Sequence, residues 1–239
     1  MLLRLPTSMT EAQDCLAEGA VPIGGATLVW ADWQREGFPD LAMSLREVPE
    51  ANVLGRETVG GAVVLHRIDE RVPDVLRLAA AKVGTGAVRR TATVGGNLVG
   101  STLRCLLPAA LVLDARATVL DTEGIHETDL AELVAKRPVL VSLHWREPIA
   151  SAYRKLAGEA GGPPPLAVAS AVRTDTRGNR LRVAVRDGYD MLSGSVTCDP
   201  DADQTLHALS GTALADLPTC AWEVIRAQVI HLLGEHDTD

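Results

Sequence analysis

The stretch TATVGGNLVGSTLRCLLPAALVLDA, residues 91–115, decides how this chain is read. Its centre, Thr93-Val94-Gly95-Gly96-Asn97, sets two residues without side chains between a hydroxyl and an amide. Paired glycines let a backbone approach a ligand closely, and successive N–H groups in such a turn make a concavity that suits an anion. The apolar run that follows has helical spacing and reads as a supporting helix over residues 106–114. A glycine pair is equally at home in a plain loop between packed elements. The stretch is not a G-x-G-x-x-G fingerprint, no acidic residue follows at the Rossmann distance, and no Lys-Ser/Thr pair makes it a Walker loop.

A second small-residue turn lies upstream. Pro22-Ile23-Gly24-Gly25-Ala26-Thr27 sits between two apolar segments and admits the same two readings, an anion nest or an ordinary strand-to-helix turn. Around these turns the pattern alternates helices and strands. A strand precedes a helix capped by Thr10, with Ala12, Cys15 and Leu16 on its apolar face and Gly19 at its end. ATLVWADW reads as helix or strand, and a strand is expected in PDLAMSLREVPE. Val53–Leu54 and the run broken at Gly60–Gly61 form a hairpin about Gly55–Glu57, and a helix follows Pro73. Ala117–Leu120 and PVLVSLHW read as strands, with the short helix TDLAELVAK between them.

The character changes near residues 148–151. A strand at Ser151–Leu156, the loop GEAGGPPP, and two β-rich runs joined at Arg177–Gly178–Asn179 follow. The end, LADLPTCAWEVIRAQVIHLLGEH, reads as an amphipathic helix with Trp222, Ile225, Val229 and Leu232–Leu233 on its apolar face. The expected organisation is α+β, with a domain over 1–148, subdomains roughly 1–54 and 55–148, and a smaller α/β domain over 149–239.

Composition narrows the function. The 239 residues are 46% apolar, and only 3% are aromatic, so Ala, Val and Leu must build the core. Lys and Arg number 23 against 31 Asp and Glu, a formal charge of −8 that argues against nucleic acid. No apolar run is long enough for a membrane span, and the N-terminus does not read as a signal peptide. Cys15, Cys105, Cys198 and Cys220 lack C-x-x-C spacing and read as reduced cytoplasmic thiols. The six histidines, His66, His126, His144, His207, His231 and His236, form no ligand pair, so no metal site is expected. Ser193-Gly194-Ser195 reads as a turn rather than a nucleophile elbow, and Asp187, Asp190, Asp199, Asp201 and Asp203 as a solvated acidic loop.

Taken together, the glycine turns and the segments between them resemble the FAD-binding subunit of the molybdenum hydroxylases, the family of the flavin domains of xanthine and carbon monoxide dehydrogenases. Its P-L-A-G-G-T-D-L is matched by Pro22-Ile23-Gly24-Gly25-Ala26-Thr27-Leu28, and its I-G-A-L-T-T-H by VGGAVVLH at residues 59–66. Its A-x-x-V-G-S-P-Q-I-R-N-R-G-T-I-G-G-N is matched by AAKVGTGAVRRTATVGGN at 80–97, its L-L-P-A-L-L-A-L-D-A by LLPAALVLDA at 106–115, and its S-A-Y-x-K by residues 151–155. The resemblance implies a two-subdomain FAD-binding fold of the vanillyl-alcohol-oxidase (PCMH) type plus a C-terminal domain. It implies that Ile23, Gly24, Gly25, Ala26 and Thr27, with Thr93, Val94, Gly95, Gly96, Asn97 and Ser101, hold FAD, the glycine turns through backbone N–H groups. It further implies electron transfer between iron–sulfur and molybdopterin partner subunits and an acceptor.

Four departures from the pattern matter. Leu28 stands where the family has Asp or Ser, Ala26 replaces a glycine, Arg90 replaces Asn, and STLRC at 101–105 replaces the polar S-P-x-x-D run with one residue fewer before it. GEAGGPPPLAVA also replaces a charged segment of the C-terminal domain. These departures define an alternative: the fold is kept, FAD is lost, and the emptied cleft binds a small organic molecule and catalyses a non-redox cyclisation or isomerisation. The polar groups nearest such a cleft are Arg89, Arg104, Tyr153 and Asn97; no catalytic residue is assigned, a purely structural partner subunit is the remaining reading, and self-association is the alternative to iron–sulfur and molybdopterin partners.

Overall fold

The first helix shows how the local rules operate here. Ser8, not Thr10, caps it: Ser8 is extended, its Oγ accepts from the Glu11 amide at 3.2 Å, and the Glu11 carboxylate accepts from the Thr7 amide at 2.7 Å. The reciprocal pair satisfies donors that a helix start otherwise leaves open, and it places Thr10 inside the first turn. The computed structural model describes residues 1–158, 161–176 and 178–234. The turn residue Arg177, Glu159 and Ala160 of the GEAGGPPP loop, and His236 lie outside them.

In chain order the elements are β1 Leu2–Arg4, α1 Met9–Ala17, β2 Val21–Pro22, α2 Val29–Glu36, β3 Leu41–Met43, β4 Leu54–Gly55, β5 Thr58–Gly60, α3 Asp74–Ala81, α4 Gly86–Arg89 and α5 Leu107–Val112. Then come β6 Arg116–Asp121, β7 Gly124–Thr128, α6 Leu130–Lys136, β8 Val139–His144, β9 Ala150–Lys155, β10 Ala167–Asp175, β11 Gly178–Asp187, β12 Asp190–Thr197, α7 Ala202–Ser210 and α8 Thr219–Gly234. They fall into two units. The first comprises Met1–Val72, Val83–Leu106 and Ala115–Trp145, and the second Pro73–Lys82, Leu107–Asp114 and Arg146–Asp239.

The first unit holds a parallel three-stranded sheet, β1-β3-β2, and an antiparallel five-stranded sheet, β4-β5-β8-β6-β7. Ala12 and Cys15 of α1 share a buried cluster with Met43, Leu45, Leu120 and Val141, so the short parallel strands rest on the same core as β6 and β8. Helix α2 contributes no buried residue. It carries Trp30 and Trp33, whose rings meet Phe38 edge-on at centroid distances of 5.3 and 6.1 Å.

The second unit is an antiparallel sheet, β12-β11-β10-β9, with α3, α5, α7 and α8. Val168, Val172, Leu181, Val183 and Val185 meet Leu209, Ile225, Val229 and Leu232 in its core. The one long polar side chain of α8 that is buried is matched: Ser170 Oγ donates to Gln228 Oε1 at 2.6 Å, and Gln228 Nε2 donates to the Val168 carbonyl at 3.3 Å. At the end of the LLPAALVLDA helix, Asp114 faces Arg182 at 3.0 Å, while Arg173 donates to the Leu113 carbonyl at 2.9 Å.

Three readings are corrected in this unit. Ser193-Gly194-Ser195 is mid-strand in β12, where Gly194 pairs with Val183 and a Cβ would overlap the Thr212 hydroxyl. Of the acidic loop, Asp190 opens β12, Asp201 caps α7 by accepting from the Asp203 amide at 2.9 Å, and Asp203 lies in its first turn. Capping carboxylates at a helix start satisfy orphan N–H groups, which is why an Asp-rich run precedes a helix here. The last helix begins only at Thr219, after Pro218, while Trp222 and Leu233, half-buried, pack against the same core as Ile225, Val229 and Leu232.

Candidate functional site

Loop one, residues 23–28, leaves β2 and runs into α2. Its start is tied to β3, because the Ile23 amide donates to the Met43 carbonyl at 2.8 Å. After that anchor, the amides of Gly24, Gly25, Ala26 and Thr27 meet no acceptor among the described residues. Ala26 adopts a left-handed backbone, φ 53°, within this run. Successive free amides around a left-handed residue can form a concave donor surface for an anion. Such a φ costs an L-residue about 1–2 kcal/mol. Ala26→Gly is therefore expected to raise the melting temperature by about 2–3 °C, net of the greater chain entropy of glycine, as scanning calorimetry would show.

Loop two is built differently. Residues 92–95 lie along the 61–65 segment: the Leu65 amide donates to Ala92, the Val94 amide to Val63 at 3.0 Å and the Gly95 amide to Gly61 at 2.8 Å. The Gly96 amide donates to Thr93 Oγ1 at 3.1 Å and the Asn97 amide to the Thr93 carbonyl at 2.9 Å. These amides are spoken for, so the two loops are not equivalent. Residues 96–100 form a wide turn, and Asn97, 6% exposed, accepts from the Leu106 amide through Oδ1 at 2.9 Å. Ser101 Oγ accepts from the Leu103 amide at 3.2 Å.

The two loops touch. A Cβ on Gly24 would overlap the Thr93 hydroxyl, and one on Gly25 would overlap the Thr91 carbonyl. The glycines of loop one are thus demanded first by the close approach of loop two. Gly61 is the further residue this assembly needs; a Cβ there would overlap the Leu140 carbonyl. Its signal in the sequence is the VGGAVVLH segment, which matches the family pattern.

The polar residues expected near a cleft each have a distinct local setting. Arg89 Nη1 donates to the carbonyls of Val83 and Gly84, both at 2.9 Å, and so closes the turn before α4. Tyr153 lies on β9, opposite Ala169, in the second unit. Arg104 belongs to the first unit with loop two, half-buried and at φ 39°, and its Nε is buried without an acceptor. Burial pushes its guanidinium below the ordinary arginine range, and the charge of Arg137 adds to the effect. A buried donor without a partner costs about 1–3 kcal/mol, so Arg104 is held against its local preference. Among the described residues, no group of three or more His, Cys, Asp or Glu is placed to hold a metal, and no helix is long and apolar enough to cross a membrane.

The family of FAD-binding domains in molybdopterin dehydrogenases matches residues 3–145, which include both loops and the segment that carries Arg104. The chain belongs to this family. FAD is the cofactor of these domains, and the open amides of loop one, donors with no acceptor of their own, fit its diphosphate. Solved structures agree on the fold. Quinoline 2-oxidoreductase from Pseudomonas putida 86 is 17% identical, with 98% of this chain and 95% of that chain covered at a TM-score of 0.69. A Cu,Mo-CO dehydrogenase in its cyanide-inactivated form is 17% identical, with 97% of each chain covered at 0.73. Carbon monoxide dehydrogenase from Hydrogenophaga pseudoflava is 15% identical, with 95% of each chain covered at 0.69. No curated protein matches the chain.

Proposed function

We propose that this chain is the flavin subunit of a molybdenum-hydroxylase-type oxidoreductase, passing electrons between a partner redox subunit and an acceptor. The observation that carries the reading is loop one: four consecutive amides without acceptors, around a left-handed Ala26, in a family whose cofactor is FAD. In this reading Gly24, Gly25, Ala26 and Thr27 bind the diphosphate through backbone N–H groups. Thr93, Val94, Gly95, Gly96, Asn97 and Ser101 act mainly as the frame that fixes loop one. Bound FAD supplies the electron-carrying chemistry, and the protein supplies position and electrostatics. The similar structures named for carbon monoxide dehydrogenase include one described as lacking the Mo-pyranopterin moiety, which supports a molybdopterin partner. An iron–sulfur partner belongs to the same proposal, as do the domains 1–148 and 149–239.

Absorbance and thermal melts test the cofactor part directly. Purified protein titrated with FAD should take on a flavin spectrum in 1:1 stoichiometry. At a hundredfold excess over Kd, binding contributes about 2.7 kcal/mol, or a rise of roughly 5–10 °C in Tm. A colourless protein whose melt ignores FAD would overturn it and turn attention to the cofactor-free cleft. The electron-transfer part is tested by co-expressing partner subunits: with them, substrate should bleach the flavin band, and without them it should not.

A further inference from the structure

Arg104 has no role in the frame just described, yet the fold holds it in place. Its backbone is left-handed, and it is bracketed by two side-chain hydrogen bonds, Ser101 to the Leu103 amide and Asn97 to the Leu106 amide. Its neighbours Ser101, Cys105 and Leu106 are buried. The chain has 31 acidic side chains, and Asp114 pairs with both Arg173 and Arg182, so carboxylate partners are abundant. None pairs with Arg104 among the described residues. What stands near it instead is a second cation: Arg137, also left-handed at φ 53°, caps the end of α6, and its charge acts on Arg104. A guanidinium whose buried Nε has no acceptor, and whose nearest charge effect comes from a second cation, lacks an anion that neither the core nor the surface supplies.

We propose that Arg104 is a phosphoryl-anion site on the segment that closes loop two. The planar fork of a guanidinium takes two oxygens of one phosphoryl group at once, which would fill the orphaned Nε. Two sources share this chemistry: the diphosphate of FAD itself, or a separate phosphorylated ligand. The first rests on the flavin reading, and the second does not.

Arg104→Asn removes the cation and suits the left-handed backbone, and Arg104→Lys keeps the charge without the fork. Inorganic pyrophosphate, FAD and riboflavin are the probes, with Tm and fluorescence titration as readouts. If the flavin diphosphate is the source, Arg104→Asn weakens FAD about 10–100-fold and leaves riboflavin unchanged, and Arg104→Lys recovers part of the loss. If a separate ligand is the source, FAD binding is equal in both proteins or absent from both. Pyrophosphate then raises the Tm of the wild type and not of Arg104→Asn. In either case, ligand-free Arg104→Asn should melt a few degrees above wild type, because a strained and unpartnered group is gone; a purely structural arginine would give the opposite sign. The inference is overturned if neither FAD affinity nor the pyrophosphate shift depends on residue 104, whatever the fate of the flavin reading.

Discussion

Replacing Gly25 by valine is expected to lower the Tm by about 10 °C and to weaken FAD binding by at least a hundredfold. A Cβ at this position would fall on the Thr91 carbonyl and the Ala92 amide, which are backbone atoms. They cannot step aside cheaply, because the Thr91 and Ala92 amides both donate to Val88 and the Ala92 carbonyl accepts from Leu65. Overpacking against a fixed backbone costs about 3 kcal/mol or more, and the open amides of loop one would be displaced with the chain. Gly24→Ala is the internal control. Its Cβ meets the Thr93 side chain rather than backbone, and moving that side chain costs the Gly96 amide its Oγ1 acceptor, so the loss should be smaller, about 1–2 kcal/mol. Calorimetry and FAD titration of the two variants check the order; equal effects would show that the loops are not pressed together at Gly25.

Asn97→Ala is the second large effect. The amide oxygen of Asn97 is the buried acceptor for the Leu106 amide, 0% exposed. Truncation leaves that N–H without a partner in a dry site, at a cost of about 2 kcal/mol and a Tm lower by roughly 5 °C. The signature is local. Hydrogen exchange at the Leu106 amide should accelerate more than at the amides of β6 or β8, and FAD affinity should fall about tenfold as the 101–106 segment loosens. Uniform acceleration across the first unit would mean that the bond carries no special share of the segment's order.

Much of this was legible in the chain itself. The stripe of α1 and the paired strands β10 and β11 follow from local periodicity, which needs no partner to be read. The family pattern located both glycine loops. What it did not distinguish is their division of labour: Thr93, Gly95 and Asn97 spend their hydrogen-bonding capacity on the protein, and only the folded chain reveals which amides are left over. The orphaned Nε of Arg104 is of the same kind, a property of what surrounds a side chain rather than of the side chain. The second unit misled in another way. In β12 the apolar alternation is diluted by Ser193-Gly194-Ser195, and the following aspartates are helix caps, so polarity alone read as loop.

The exposed aromatic helix behind loop one has an optical consequence. Two of the chain's four tryptophans, Trp30 and Trp33, sit there, and Trp30 is 49% exposed. Trp145 is buried with its indole N–H on the Arg56 carbonyl, and Trp222 is half-buried in the second unit. Solvated indoles emit to the red of buried ones and are quenched first by water-soluble quenchers. The long-wavelength edge of the protein's own fluorescence therefore watches the segment that follows loop one, and it does so without any label.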